Sequence, residues 1–213
     1  MGRVDVTGPP KGGVWAAVFH KSAAAVLVIE GCVAERGGGL FTSDSTVVAA
    51  DQTQIGNCSA ASYGGCFNAG GALRFEGALV LTNCTAKGAG GGMYSPTLVA
   101  TQPITCDGCA APTAALAQVF QGNSSLAAVA VTIRSRSSGV TSLIVGEAGS
   151  VVEVGALDCR EAPLCLVQAP QVQVARLLCQ RGEGRQSLAD GDEVQCQTCP
   201  EGHTRLEAGG LAA

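Results

Sequence analysis

The sequence predicts an all-β chain: a right-handed parallel β-helix solenoid of about seven coils over residues 1–179, then a short irregular cysteine-rich tail over residues 180–213. Three observations predict it. Cys32, Cys58 and Cys84 recur at one fixed interval, each preceded three positions earlier by an aliphatic residue, Ile29, Ile55 or Leu81. Glycines follow each of them at a nearly fixed offset: Gly37 to Gly39, Gly64-Gly65 and Gly90 to Gly92. Between these landmarks run short apolar segments of period two, such as "LRFEGALVL" and "VVEVGALD", bounded by Gly, Asn, Ser or Asp.

Each element follows from this pattern. Period-two alternation gives strands of a few residues, and the glycines interrupt any window long enough for an amphipathic helix. Three short strands with tight turns, at ~3.3 Å per residue, use about 25 residues, the circumference of one coil. The spacing of the cysteines matches that length. Three coils keep strict register, and looser copies follow around Ile104, Ile133 and Cys159, the last ending near Cys179. Residues one period apart then lie above one another at the ~4.8 Å strand spacing. Cys32, Cys58 and Cys84 form a column, and Asn57 and Asn83 form a second, read as a buried amide ladder that points into the coil. The glycines are corner pieces. Phe41, Phe67 and Tyr94 follow their glycines and read as a stacked aromatic ladder.

Composition limits the function classes. The chain is 46% hydrophobic but only 4% aromatic, so its core is built from Val, Leu, Ile and Ala. Net charge is −4, and the 13 Lys and Arg form no basic cluster, which argues against nucleic acid or an anionic membrane surface as partner. Eleven cysteines favour an oxidising compartment. The N-terminus lacks a signal-peptide pattern, and the longest apolar run, residues 23–29, is too short to cross a bilayer. Either the chain is a piece of a longer secreted protein or the compartment reading fails. The absence of a capping helix or polar end coil at residue 1 favours a missing upstream portion.

The cysteines leave several pairings open. Adjacent coils meet the spacing a disulfide needs, so Cys32 with Cys58 or Cys58 with Cys84 could bridge, or all could stay reduced as small buried hydrophobes. Cys66 with a neighbouring-coil partner, Cys106 with Cys109, Cys159 with Cys165, and Cys196 with Cys199 are further options. Because the number is odd, one thiol is free or pairs with another chain.

The "GGALRF" of Gly70 to Phe75 and "NCTAKGAGGGMY" resemble the short Gly-Gly-Ala-Ile and Phe-x-x-Asn repeats of polymorphic outer-membrane proteins, surface proteins with a pectin-lyase-like right-handed β-helix. The match covers about residues 30–100. It departs from the family in its many cysteines and in having no sign of a membrane β-barrel. The resemblance implies an adhesive or structural role at a cell surface. In the tail, Cys196-x-x-Cys199-Pro-x-Gly, with Cys179 as a third member, is similar to the ephrin-receptor-like cysteine-rich repeats that follow β-helical regions in some large surface proteins. A half zinc site with His203, or a redox pair, is the alternative.

Catalysis on a solenoid needs carboxylates clustered by one period or within one strand. Asp51, Glu76, Asp107 and Asp158 do not share a register. Asp190 and Asp192 sit close together in the tail, where a solvated loop explains them. His20 reads as a surface or first-coil residue. No nucleophilic triad, phosphate loop or paired zinc motif is present, so neither catalytic residues, cofactor nor metal is expected. Three Asn-x-Ser/Thr triplets occur; Asn57 and Asn83 read as decoys pointing inward, and Asn123, in "QGNSS", is the acceptor expected. The sequence thus points to a non-catalytic structural or adhesive segment of a large extracellular or cell-surface protein. Its expected partners are adjoining parts of a longer chain, and glycans or other surface proteins. A polysaccharide-binding or -cleaving enzyme whose site lies partly outside this chain is the second reading.

Overall fold

The computed structural model describes residues 2–7, 14–15, 25–43, 46–48, 50–114, 116–119, 125–134, 142–162, 165–181, 183–187 and 192–198. Every regular element among them is a strand, and the chain is a parallel β-solenoid. Three parallel sheets run along the stack. The first contains Ala25–Glu30, Gln52–Gly56, Ala78–Thr82 and Ile104–Asp107 in neighbouring order. A short second sheet holds Val33–Arg36, Ser59–Tyr63 and Thr85–Ala86. In the third, Leu40–Thr42, Phe67–Ala69, Met93–Ser95, Ala117–Val119, Ile144–Gly146 and Leu166–Gln168 follow one another.

The core is a set of inward columns. On the first sheet, Ile29, Ile55, Leu81, Cys106 and Ile133 are successive register partners, each at most 2% exposed. On the third, Leu40, Phe67, Met93, Ala117, Ile144 and Val167 are likewise successive register partners, all buried. Burying each large aliphatic side chain contributes roughly 1.5–3 kcal/mol, so the repeated apolar position is what selects the register.

In the early turns, two separate strands make up the long side of the coil: Thr46–Val48 then Gln52–Gly56, Ala72–Phe75 then Ala78–Thr82, Thr97–Ala100 then Ile104–Asp107. From Ser125–Arg134 onward, the two fuse into single strands, continued by Val151–Asp158 and Gln171–Leu178. The front half of Ser125–Arg134 pairs with Thr97–Ala100 and the back half with Ile104–Asp107, which joins both sides into one 11-stranded sheet. Once the bend is lost the turn shortens: Val131 partners Leu157 and Leu157 partners Leu177, and the second step spans fewer residues than the first.

The stack makes about five turns, fewer than the seven expected. Gly2–Thr7 and Val14–Trp15 pair with the next strands, but no described residues close a turn between them. At the other end, Glu183–Ser187 and Glu193–Thr198 form a hairpin that adds antiparallel to Leu166–Gln168. The tail therefore begins with an ordered hairpin where an irregular segment was expected.

Two further expectations are overturned. The aromatic ladder does not form, because a bulge between Ala34 and Arg36 inserts one extra residue into the step to the next turn: Ala34 opposes Ala60, but Arg36 opposes Tyr63. Phe67 thereby opposes Leu40 and turns inward, while Phe41 and Tyr94 take the alternate position, with Asn68 between them. Phe67 instead meets Phe75 edge-on, ring centroids 4.9 Å apart. The second concerns the asparagines, whose side chains are exposed on the outside of the solenoid.

Candidate functional site

The cysteine column and its corner are built by one backbone device. Gly31, Asn57, Asn83 and Gly108 occupy the same corner of successive turns, with φ of 67°, 53°, 51° and 69°. Only glycine, and to a lesser extent asparagine, adopts this left-handed conformation cheaply. The left-handed residue turns the Asn side chain outward and the following cysteine inward. This overturns the expectation that the amides point into the coil. On the surface, Asn83 Nδ2 donates to Asn57 Oδ1 at 3.1 Å. Inward orientation is thus removed as a reason for calling these two asparagines glycosylation decoys, while the Cys in the middle of each triplet still makes it a poor acceptor context; Asn123 lies outside the described residues.

Inside, Cys32, Cys58 and Cys84 lie on successive turns: the amides of Ser59 and Thr85 donate to the carbonyls of Cys32 and Cys58 at 2.8 and 3.0 Å. Ala110 donates to the Cys84 carbonyl at 2.9 Å, which makes Cys109 a fourth member of the column. All four are at most 1% exposed. Four disulfides are present among the described residues: Cys66–Cys84, Cys106–Cys109, Cys159–Cys165 and Cys179–Cys196, with Cα separations of 5.4, 6.0, 5.8 and 5.6 Å. Cys84 thus pairs diagonally with Cys66 and not with Cys58, and Cys196 reaches back to Cys179; Cys199 lies outside the described residues. Cys32 and Cys58 remain thiols. Their Sγ–H groups donate to the carbonyls of Glu30 and Gly56 at 3.5 and 3.2 Å. Burial pushes the Cys58 thiol up to about 12, with the Cys32 sulfur beside it adding to the shift.

An outer trough of about 760 Å³ runs across the fused strands. Its floor consists of outward residues at two register positions: Val99, Ala127, Glu153 and Gln173 are successive partners, and Val129, Gly155 and Ala175 lie beside them. Small side chains keep the floor low. At Gly155 a Cβ would overlap the Val129 carbonyl oxygen, so glycine is needed for the rungs to approach. Val129 is 56% exposed, and Arg185 of the hairpin stands at the rim. The trough offers a long apolar floor with one carboxylate, one guanidinium and one amide, a set suited to holding an extended polymer. No sequence pattern marked it, because alternation within a strand is the same whether the outer face is flat or hollow.

The acidic residues are dispersed. Asp51 and Glu76 are exposed at the bend on adjacent turns, and Glu76 lies 3.8 Å from Arg74. Asp107 opposes Arg134, which pairs with Glu161 at 3.5 Å. Asp158 is held by Arg160 at 2.7 Å, and these hydrogen bonds keep its carboxyl below the usual carboxylate range. Asp192 is exposed and its carbonyl accepts from Ala169. Asp190, His20 and His203 lie outside the described residues. Among the described residues, no three His, Cys, Asp or Glu side chains group as metal ligands. At another corner, Tyr63 and Tyr94 stack with centroids 4.6 Å apart, and burial together with Glu147 raises the Tyr94 phenol above its ordinary value.

Compared with family models, curated proteins and solved structures, the chain matches none of them.

Proposed function

We propose that the chain is a rigid, non-catalytic segment of a larger secreted or cell-surface protein, acting as a spacer that presents an adhesive face. The observation that carries this reading is the register itself. Each described turn repeats the same inward columns and is tied to its neighbours by continuous parallel ladders, a quasi-one-dimensional construction that resists bending and sets a fixed length. Four disulfides accord with an oxidising environment, and no helix among the described residues is long and apolar enough to cross a membrane. The resemblance of residues 30–100 to polymorphic outer-membrane repeats, and of the tail to ephrin-receptor-like repeats, supports the same role.

The outer trough favours an extended glycan as the adhesive ligand, since an open apolar floor with few charged groups suits stacking and edge hydrogen bonds to a polymer more than a compact metabolite. A glycan array probed with the purified chain tests this. Binding should fall at least tenfold in an Arg185→Ala, Glu153→Gln double variant; no binding on the array, or binding unchanged in the variant, removes the trough from the proposal. Release of reducing ends from pectin or alginate by the unmodified chain would favour the second reading, a polysaccharide-cleaving enzyme.

A further inference from the structure

We propose that Cys32 and Cys58 close a fifth disulfide when the chain folds in an oxidising compartment, and that with Cys66–Cys84 it forms a covalent strap across three successive turns. The two residues are in register on neighbouring rungs: Val33 opposes Ser59, and the Ser59 amide donates to the Cys32 carbonyl at 2.8 Å. In-register neighbours of a parallel sheet lie ~4.8 Å apart, inside the ~4.4–6.8 Å window that a disulfide spans. Both side chains are fully buried on the same inner face. The column offers no rival, because the next sulfur, Cys84, is taken by Cys66.

The chemistry balances with one co-reactant, a protein or glutathione disulfide. A thiolate of the pair attacks that disulfide and forms a mixed disulfide. The second thiolate attacks the first cysteine's sulfur, and the Cys32–Cys58 bond forms as the oxidant leaves as thiols. The two cysteines lose two electrons and two protons, and the oxidant gains them. The exchange belongs to the folding chain, before the turns close: once buried, both sulfurs are out of reach of an oxidant, and thiolate is scarce in a buried apolar site.

The strap has a mechanical consequence that does not depend on the adhesive reading. Cys32–Cys58 withholds one full turn of chain from any pulling force, about 90 Å when extended. Cys66–Cys84, with a sequence separation of 18, withholds about 60 Å. The first joins the turn of Ala25–Glu30 to that of Gln52–Gly56, and the second continues to the turn of Ala78–Thr82.

The test is a thiol map. The chain, secreted or refolded with a glutathione redox buffer, is denatured without reductant, labelled with a maleimide and digested without reduction. The expected result is no label on Cys32 or Cys58 and a cross-linked peptide containing both. Label on both residues, or Cys58 found joined to Cys84, overturns the proposal. In single-molecule pulling, reductant should release about 90 Å of contour beyond that held by the other four disulfides together, and Cys58→Ser should release that increment without reductant; absence of the increment in the unmodified chain also overturns it. Should Cys58→Ser fail to fold, the map of the unmodified chain decides alone.

Discussion

Replacing Gly31 tests the corner most sharply, because two substitutions there should move stability in opposite directions. Gly31 has φ of 67° and precedes Cys32 as Asn57 precedes Cys58. A Cβ at Gly31 would meet nothing within 4 Å, so only backbone conformation and new contacts count. Gly31→Ala places a β-carbon in the left-handed region at a cost of roughly 1–2 kcal/mol, partly offset by the lower entropy of the unfolded chain. Gly31→Asn gains the same entropy and tolerates the conformation. It also puts an amide oxygen where Asn57 Nδ2 can donate to it, as Asn83 donates to Asn57 at 3.1 Å. An exposed hydrogen bond of this kind contributes about 0.5 kcal/mol. The two variants should therefore differ by about 1.5 kcal/mol, roughly 3–6 °C in midpoint for a chain of this size. Thermal unfolding by circular dichroism under identical redox conditions reads the difference. The comparison at Gly108 sharpens it: there a Cβ would lie 2.5 Å from Asn83 Oδ1, so Gly108→Asn should not gain. Equal loss in Gly31→Ala and Gly31→Asn would refute the account of the corner as an extensible amide ladder.

Other expectations follow from the same structure. Leu81→Ala empties a fully buried position between Ile55 and Cys106 and should cost about 2–5 kcal/mol in chemical denaturation. Gly65→Ala drives a β-carbon into the Gly91 carbonyl and to 2.5 Å from the Thr85 amide nitrogen, all backbone. The rungs must part, so the loss should exceed about 4 kcal/mol and show as loss of the folded chain in circular dichroism. For Asp158 the folded carboxyl titrates lower than the unfolded one because of Arg160. Its stabilisation is therefore present above the unfolded value, near pH ~4, and disappears as pH falls through the folded one. Asp158→Asn should lose that modest stabilisation at neutral pH and almost nothing at pH ~3, which flattens the acid limb of a stability–pH curve; a variant that loses as much at pH ~3 as at pH ~7 would contradict that assignment.

Much of the fold could be read from the sequence, because a solenoid writes its geometry as a period. Ile29, Ile55 and Leu81 mark the inner column, and Gly37, Gly64 and Gly90 mark a corner with φ near 60°. What escaped depends on local backbone geometry or on contact across turns. One extra residue between Ala60 and Tyr63, opposite the step from Ala34 to Arg36, shifted Phe67 from the outer to the inner row, since a strand reverses its facing with every residue. The outward turn of Asn57 and Asn83 follows from their positive φ, which residue identity permits but does not dictate. A neighbouring-coil partner for Cys66 was legible, but its identity was not, because the Cys66–Cys84 pairing is diagonal, with a sequence separation of 18, and so is invisible to a search for the repeat length. Cys109 could have been placed in the column by counting one coil onward from Cys84. The trough arises where two strands merge into one, an event that alternation passes through without a mark.

The hairpin of Glu183–Ser187 and Glu193–Thr198 changes what could be added beyond Leu166–Gln168. An open parallel edge is a template on which another copy of the chain can keep growing a fibril. Here the Glu193–Thr198 strand lies across that edge in the opposite direction, anchored by Cys179–Cys196, and presents a short outer strand rich in charge and amide. Two antiparallel steps return Glu183–Ser187 to the direction of Leu166–Gln168, so a second molecule arriving on this face meets a short strand of charged and amide side chains, and end-to-end polymerisation is opposed there by composition and not by direction.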